Sequence, residues 1–146
     1  MRALLQRVSQ AAVTVDGRTV GRIGRGWLVL LGVAHADTLA TAGTLAEKVV
    51  GLRCFEDQAG KTNLAIKDVQ GAVLLVSQFT LYADLSRGRR PGFTQAAPPE
   101  VADTLVTAFG AALERHGLNV EHGEFGGHMQ VSLVNDGPFT VWLDSD

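Results

Sequence analysis

The sequence has 146 residues, a formal net charge of −2 and 46% hydrophobic residues, which fits one globular domain covering residues 1–146. A slightly acidic chain is not expected to coat nucleic acid through its phosphates, so any contact with nucleic acid should be local. Cys54 is the only cysteine, which excludes an intrachain disulfide and favours a reducing compartment. With no signal-like N-terminal pattern and no apolar run long enough to span a bilayer, we expect a cytoplasmic protein that crosses no membrane.

The first half of the chain predicts a hairpin, a buried strand, a helix and a loop. Apolar residues alternate up to Asp16-Gly17, a two-residue hairpin signal, and a partner strand follows. Residues 27–33, WLVLLGV, form a continuous apolar run that is typical of a strand covered on both faces. Residues 37–52 show helical periodicity. The predicted core side of this helix consists of Leu39, Ala42, Leu45, Ala46, Val49 and Val50. The polar stretch 56–63, EDQAGKTN, is expected to be a loop.

The second half predicts a further buried strand, a helix and a final group of strands. Residues 72–79, AVLLVSQF, predict the strand, and an irregular stretch covers residues 84–97. A helix is expected over residues 98–116, because prolines suit a helix start and Gly117 suits a helix end. Its predicted core side consists of Val101, Leu105, Ala108, Phe109, Ala112 and Leu113. The remaining strands are expected at residues 119–121, 129–134 and 139–143.

This order of elements indicates a mixed α/β fold. We expect a single compact domain with mixed β-sheet layers and two helices packed on one face.

The stretch NDGPFT, residues 135–140, lies between the last two predicted strands. Gly and Pro are the usual residues of turns, so a plain turn is one interpretation. Asn-Gly or Asp-Gly alone would close a hairpin, however. Gly-Pro therefore raises a second interpretation, in which the segment holds a backbone shape that a ligand reads. The pattern alone leaves both interpretations open.

Polar side chains follow the second buried strand directly, in the stretch SQFTLYAD. Ligands of α/β folds often bind just past the ends of such strands, which makes Ser77, Gln78 and Thr80 candidates for a site. These side chains could equally satisfy backbone groups at a strand end, and the pattern alone favours that interpretation. The four histidines and Cys54 show no metal-ligand spacing. The sequence contains no P-loop, dinucleotide fingerprint or nucleophile elbow.

Three arginines occur close together in SRGRRPGF, residues 86–93. A solvated loop is the default interpretation of such a run. The guanidinium groups of Arg87, Arg89 and Arg90 also suit phosphate. A focused basic spot on a slightly acidic chain could therefore meet one end of a nucleic acid.

The stretches SQFTLYAD, RGRRPGF and FGGHMQVSLVNDGPFTVWL together resemble the D-aminoacyl-tRNA deacylases. The similarity runs from MRALLQRVSQAAVTVDG to the last strand. It implies a homodimeric α/β enzyme that hydrolyses the ester between a D-amino acid and the terminal adenosine of tRNA, and that also clears glycine from mischarged tRNA. It implies no metal and no organic cofactor. The family's catalytic signature corresponds to Ser77, Gln78, Phe79 and Thr80.

The family's Gly-cis-Pro signature corresponds to Gly137 and Pro138. The resemblance implies that this turn reaches into the partner subunit's site, where two carbonyl oxygens face the α-carbon of the amino acid. An L side chain would collide with these oxygens, a D side chain would point away, and glycine would escape rejection. The family most often has valine after this Gly-Pro, whereas this chain has Phe139. The difference bears only on the packing beneath the turn.

The chemistry of such a reaction suggests roles for the other candidates. Backbone N–H groups near Ser77–Thr80 are candidate donors to a developing oxyanion. Arg87, Arg89 and Arg90 are candidate contacts to the acceptor-stem phosphates. Thr80 is either a nucleophile or a residue that shapes the site. We predict that water attacks instead, because a threonine hydroxyl needs an adjacent base and the motif supplies none.

Two interpretations without chemistry compete with the deacylase. The first is an RNA-binding module, which predicts tRNA binding without loss of the ester. The second is a plain dimeric scaffold, in which SQFT is a strand end and NDGPFT is a turn, and which predicts no tRNA binding.

Overall fold

The computed structural model describes residues 1–145 and contains eight strands and two α-helices within them. The strands are β1 (Arg2–Val15), β2 (Arg18–Ile23), β3 (Gly26–Gly32), β4 (Phe55–Glu56), β5 (Thr62–Leu64), β6 (Ala72–Ser77), β7 (Asn119–His122) and β8 (Gln130–Asp144). The helices are α1 (Leu39–Gly51) and α2 (Pro99–Arg115), and a 3₁₀ helix covers Phe79–Tyr82.

The first hairpin forms where the sequence predicts it. Val15 pairs with Arg18 across the loop Asp16-Gly17, and both loop residues have positive φ angles, 49° and 75°. Two positive φ angles in a two-residue loop match the right-handed twist of the flanking strands.

Most strands join one mixed sheet in the order β2-β1-β3-β6-β7, and β8 pairs with β1. β3, β6 and β7 run parallel, whereas β1 is antiparallel to its neighbours. Trp27 and Val29 of β3 face one hydrophobic core, and Leu28 faces another. The continuous apolar run of β3 is thus explained, because both of its faces are covered.

Both helices pack on the same face of the sheet, as predicted. Their buried side chains share one core with Trp27 and Val73. Thr38 caps α1: its hydroxyl accepts the Thr41 N–H, and the Thr41 hydroxyl accepts the Thr38 N–H. Such a capping box satisfies N–H groups that a helix start leaves free. Neither helix formed by the described residues is long and apolar enough to cross a membrane.

Leu39 and Val101 do not belong to the core, contrary to the prediction. Their exposed fractions are 65% and 43%. Both lie in the first turn of their helix, where they line an open depression between the two helix N-termini. Helical periodicity identifies the side of the helix on which a residue lies, but not whether another element covers that turn of the helix.

A second layer covers the opposite face of the sheet. The distal half of β1, with β2 and the first half of β8, encloses a core around Val13, Leu28 and Leu74. β2 crosses close to β7, since a Cβ on Gly21 would lie 2.6 Å from the His122 carbonyl oxygen. The predicted α/β fold with mixed layers is therefore confirmed.

Two predicted boundaries are wrong. The stretch 56–63 was expected to be a loop, but it contributes to the short hairpin β4–β5, whose turn is held by the Asp57 carboxylate. The strand expected at residues 72–79 ends at Ser77. The Gln78 N–H still donates to the Leu31 carbonyl at 2.7 Å, and the chain then turns into the 3₁₀ helix.

The segment NDGPFT is not a turn between two strands. The predicted strands 129–134 and 139–143 belong to one strand, β8, which continues in the same direction along β1. Gln6 pairs with Thr140 and Val8 pairs with Asn135, so Arg7 alone faces the four residues Asp136–Phe139. The Gly-Pro segment is thus a large bulge, a feature that re-aims backbone groups without reversing the strand.

Candidate active site

The Ser77–Thr80 segment lies where β6 leaves the sheet. Ser77 is the last residue paired with β3, opposite Leu31. Phe79 and Thr80 begin the 3₁₀ helix. The first N–H groups of a helix have no acceptor within it. The backbone therefore presents donors at this point, in the position that the sequence predicts for a site.

Phe79 and Thr80 of this segment are exposed, whereas Ser77 and Gln78 are half-buried. The Gln78 amide donates a hydrogen bond to the Thr80 hydroxyl. The Phe79 side chain is 55% exposed and packs edge-on against Phe93, with ring centroids 4.9 Å apart. The Thr80 hydroxyl thus accepts a hydrogen bond from an amide, which is not a base.

Gly32 allows the 3₁₀ helix to lie against β3. A Cβ on Gly32 would lie 3.0 Å from the Gln78 carbonyl oxygen and 3.2 Å from Leu81 Cβ. The sequence prediction missed this residue. Its signal was a glycine at the end of an apolar strand, which often marks close backbone approach.

The three predicted arginines lie in an exposed loop beside this segment. Asp84 and Gly92 close the loop through two backbone hydrogen bonds of 2.8 and 2.9 Å. Hydrogen bonds from the Ser86 side chain and N–H lower the pKa of Asp84. Phe93 follows the loop directly and contacts Phe79. The structure therefore brings the loop with Arg87, Arg89 and Arg90 next to Ser77–Thr80.

The bulge in β8 contains a cis peptide bond between Gly137 and Pro138, as the resemblance implied. Gly137 has a φ angle of 144°, and a Cβ there would lie 2.8 Å from the Phe139 nitrogen and 3.1 Å from Phe139 Cβ. Only glycine fits this backbone conformation without displacing its neighbours.

Arg7 holds the bulge from the β1 side, and sequence reasoning did not select it. Arg7 is buried, with 6% exposure. Its Nε donates to the Asp136 carbonyl at 3.0 Å, and its Nη1 donates to the Cys54 carbonyl at 2.7 Å. The Asp136 carboxylate lies 3.6 Å from Nε. Burial raises the pKa of the Cys54 thiol, and the charge of Arg7 opposes this shift.

Phe139 packs directly beneath the bulge. Its ring lies 4.6 Å from the Arg7 guanidinium carbon and 6.3 Å from the ring of Trp27. The larger side chain at the position of the usual valine therefore fills space between the buried arginine and the core. A cation–π contact of this kind adds to the packing.

Asn135 spans the bulge and was also not selected from the sequence. Its side-chain amide donates to the carbonyl oxygens of Arg7, at 3.0 Å, and Phe139, at 2.9 Å. Its Oδ1 accepts the Phe139 N–H at 3.2 Å. One side chain thus ties both ends of the bulge to each other and to β1.

The structure does not bring the two predicted parts of the site together within one chain. Ser77 lies opposite Leu31 on β3, whereas Arg7, which faces the bulge, lies opposite Trp27. Trp27 and Leu31 are four residues apart along β3, and three strand spacings separate β8 from β6. With about 3.3 Å per residue and about 4.8 Å between neighbouring strands, the two parts are roughly 20 Å apart.

Within residues 1–145, no group of three or more His, Cys, Asp and Glu side chains is close enough to hold a metal ion.

Comparison with known proteins identifies the family of this chain. The sequence model of the family described as D-Tyr-tRNA(Tyr) deacylase matches residues 4–144. The chain belongs to this family. The resemblance inferred from SQFTLYAD and NDGPFT is confirmed.

Individual relatives agree along the whole chain. A D-aminoacyl-tRNA deacylase of Thermomicrobium roseum is 60% identical, over 99% of this chain and 94% of the relative. The corresponding protein of Symbiobacterium thermophilum is 58% identical, over 100% and 97%.

Two solved structures share the fold. A structure named c-Myc DNA Unwinding Element Binding Protein superposes with a TM-score of 0.94 at 40% identity, over 100% of this chain and 99% of that chain. A probable eukaryotic D-amino acid tRNA deacylase gives a TM-score of 0.82 at 18% identity, over 97% of each chain.

Proposed function

We propose that this protein removes D-amino acids and glycine from mischarged tRNA, with Ser77–Thr80 of one subunit and Gly137-Pro138 of its partner forming each site. The reaction class follows from the family: the chain is a D-aminoacyl-tRNA deacylase, a hydrolase of the aminoacyl ester. The observation that carries the proposal is the exposed start of the 3₁₀ helix, which presents backbone donors beside the basic loop.

Backbone donors suffice for this chemistry. An aminoacyl ester on a ribose is already labile, so a strong base is not required. The N–H groups of Phe79 and Thr80 stabilise the oxyanion that forms when water attacks the ester carbonyl. Collapse of this intermediate breaks the ester C–O bond, and the proton released by the water passes to the leaving ribose oxygen. The site holds the ester and the water in place, which lowers the entropic part of the barrier. The 2′-hydroxyl of the terminal adenosine assists from the substrate side.

The bulge in β8 performs the chiral selection. The carbonyl oxygens around Gly137 and Pro138 face the α-carbon of the bound amino acid and collide with an L side chain. Backbone atoms discriminate by position and not by side-chain chemistry, so many D-amino acids are accepted. Glycine has no side chain to reject, and its ester is cleaved as well.

A second copy supplies the bulge to each site. The separation of roughly 20 Å between the two parts supports this arrangement, because one chain cannot bridge it. Among the described residues β8 pairs with β1 only, and it exposes Val131, Val134 and Trp142 by 36%, 49% and 48%. A long edge strand with exposed apolar side chains is a surface that a partner copy would cover.

The arginine loop positions the tRNA. Arg87, Arg89 and Arg90 contact acceptor-stem phosphates without reading the sequence. A substrate of this kind supports a cytoplasmic location, where tRNA is charged and used.

A nucleic-acid-binding module without chemistry is the second candidate. Two observations favour it: the exposed Phe79 ring beside three arginines suits a base and its phosphates, and the name of one related structure describes DNA binding.

One assay separates these functions. Purified protein is added to tRNA charged with D-tyrosine, with L-tyrosine or with glycine, and the surviving ester is measured over time. We expect rapid loss of the D-tyrosyl and glycyl esters and slow loss of the L-tyrosyl ester. Binding without loss of any ester would support the module instead.

A further inference from the structure

We infer that the side-chain amide of Asn135 is a positioning group for chiral selection: it fixes the bulge so that its carbonyl oxygens exclude L-amino acids. The inference rests on the proposed function and assigns a role to a residue outside the Ser77–Thr80 and Gly137-Pro138 motifs.

The hydrogen bonds of the Asn135 side chain are arranged around the bulge. Its Nδ2 donates to the carbonyl of Arg7 on β1 and to the carbonyl of Phe139 at the far end of the bulge. Its Oδ1 accepts the N–H of the same Phe139. The side chain therefore replaces the ladder bonds that the bulge interrupts, and Asp136–Pro138 are held between Asn135 and Phe139.

This arrangement uses the full chemistry of an amide. Both hydrogens of Nδ2 and one lone pair of Oδ1 have backbone partners. An aspartate has nearly the same shape and can still accept the Phe139 N–H. It cannot donate while ionised, and its second oxygen would face two carbonyl oxygens at about the present nitrogen distances.

The contacts fix a position that selectivity depends on. Rejection by a clash requires that the carbonyl oxygens cannot retreat from the L side chain, because a small displacement would relieve the overlap. Arg7 restrains the Asp136 carbonyl, but its hydrogen bonds go to Asp136 and Cys54 and not to the Phe139 end. Arg7 contacts the ring of Phe139, whereas Asn135 hydrogen-bonds the backbone N–H and carbonyl of that residue.

The test compares Asn135→Ala and Asn135→Asp with the parent protein in single-turnover deacylation of D-tyrosyl- and L-tyrosyl-tRNA. Thermal unfolding of each variant sets an assay temperature at which it is fully folded. Ser132→Ala serves as the matched control. Ser132 lies on β8, as Asn135 does, but its hydroxyl donates to the Ala12 carbonyl of β1, away from the bulge.

We expect both Asn135 variants to lower the ratio of the D rate to the L rate by about tenfold or more, equivalent to roughly 1.4 kcal/mol. The Ser132 control should keep the parent ratio. A general loss of folded protein lowers both rates by the same factor and leaves this ratio unchanged, so the ratio separates positioning from stability.

The outcomes distinguish the positioning role of Asn135 from the proposed function. A D-selective parent whose folded Asn135 variants keep its ratio within about twofold would overturn the positioning role alone. A parent that cleaves neither ester, or both equally, would overturn the proposed function and this role together.

Discussion

Arg7 is a buried cation whose nearest partners are carbonyl oxygens. Its two short hydrogen bonds go to Asp136 and Cys54, so one guanidinium links β1, the bulge and the segment before β4. Burying a charge is tolerated when it is hydrogen-bonded on several sides. The planar fork of arginine can reach these separate acceptors, whereas the single ammonium of lysine cannot reproduce the geometry.

Replacing Arg7 with lysine should therefore destabilise the fold and loosen the bulge. We expect a loss of about 1–3 kcal/mol in the free energy of unfolding, because at least one partly buried carbonyl loses its donor. Urea denaturation measures this loss. Arg18→Lys on the exposed end of β2 is the matched control and should change stability little. Equal stabilities of the two variants would contradict the role of Arg7.

Thr80 offers a second test at this scale. Its hydroxyl accepts a hydrogen bond from the Gln78 amide, which cannot act as a base. We expect Thr80→Val to lose part of the deacylation rate but to retain its preference for the D ester, since water is the nucleophile in the proposed mechanism. Mass spectrometry of quenched reactions should show no aminoacyl adduct on Thr80 in the parent. Detection of that adduct would establish covalent catalysis instead.

At the scale of elements, the arginine loop is tied to the Ser77–Thr80 segment through the contact of Phe79 with Phe93. Changing Arg87, Arg89 and Arg90 together to alanine should weaken tRNA binding. It should also flatten the dependence of binding on salt, by up to about 0.7–0.9 in the logarithmic slope for each phosphate that the variant no longer neutralises. The D/L ratio should not change, because the bulge is untouched. Binding titrations at several salt concentrations provide the measurement, and an unchanged slope would remove the loop from the RNA interface.

Local pattern predicted both helices, the first hairpin, β3, and the position of the Ser77–Thr80 segment at the end of β6. The two core-facing helix stripes and the continuous apolar runs of β3 and β6 depend on residues close in sequence, so periodicity captures them. The family resemblance supplied the roles of Ser77–Thr80 and Gly137-Pro138.

The bulge and its supports could not be predicted in the same way. Whether Gly-Pro closes a turn or forms a bulge depends on β8 pairing with β1 on both sides of it, a contact between residues far apart in the sequence. The roles of Arg7 and Asn135 exist only in that pairing. The exposure of Leu39 likewise depends on what covers the end of α1, which its periodicity does not report.

For the whole molecule, the separation of the two site parts leads to a prediction about subunit exchange. Phe79→Pro removes one backbone donor at the first helical position, where proline is tolerated, and should inactivate the subunit that carries it. Gly137→Ala should reduce D/L selectivity, because the added Cβ would lie 2.8 Å from the Phe139 nitrogen and displace the bulge.

Mixed dimers of Gly137→Ala subunits with an excess of Phe79→Pro subunits should recover the parent's selectivity. The working site of such a dimer combines the intact Phe79 of one subunit with the intact bulge of the other. If each chain used its own bulge, the mixture would keep the low selectivity of Gly137→Ala. Sedimentation should show a dimer in every preparation, and an active monomer would contradict the shared site.

Among residues 1–145, β1 and β8 are farthest apart in the order of strands, yet they form the longest pairing. Asn135 bonds the Arg7 carbonyl across 128 positions of the chain. Contacts between such distant residues form late and slowly in folding. The Ser77–Thr80 segment at the end of β6 can therefore be assembled before the bulge is. Under the proposed function, a nascent chain that still lacks β8 would have no means of telling one hand of an amino acid from the other.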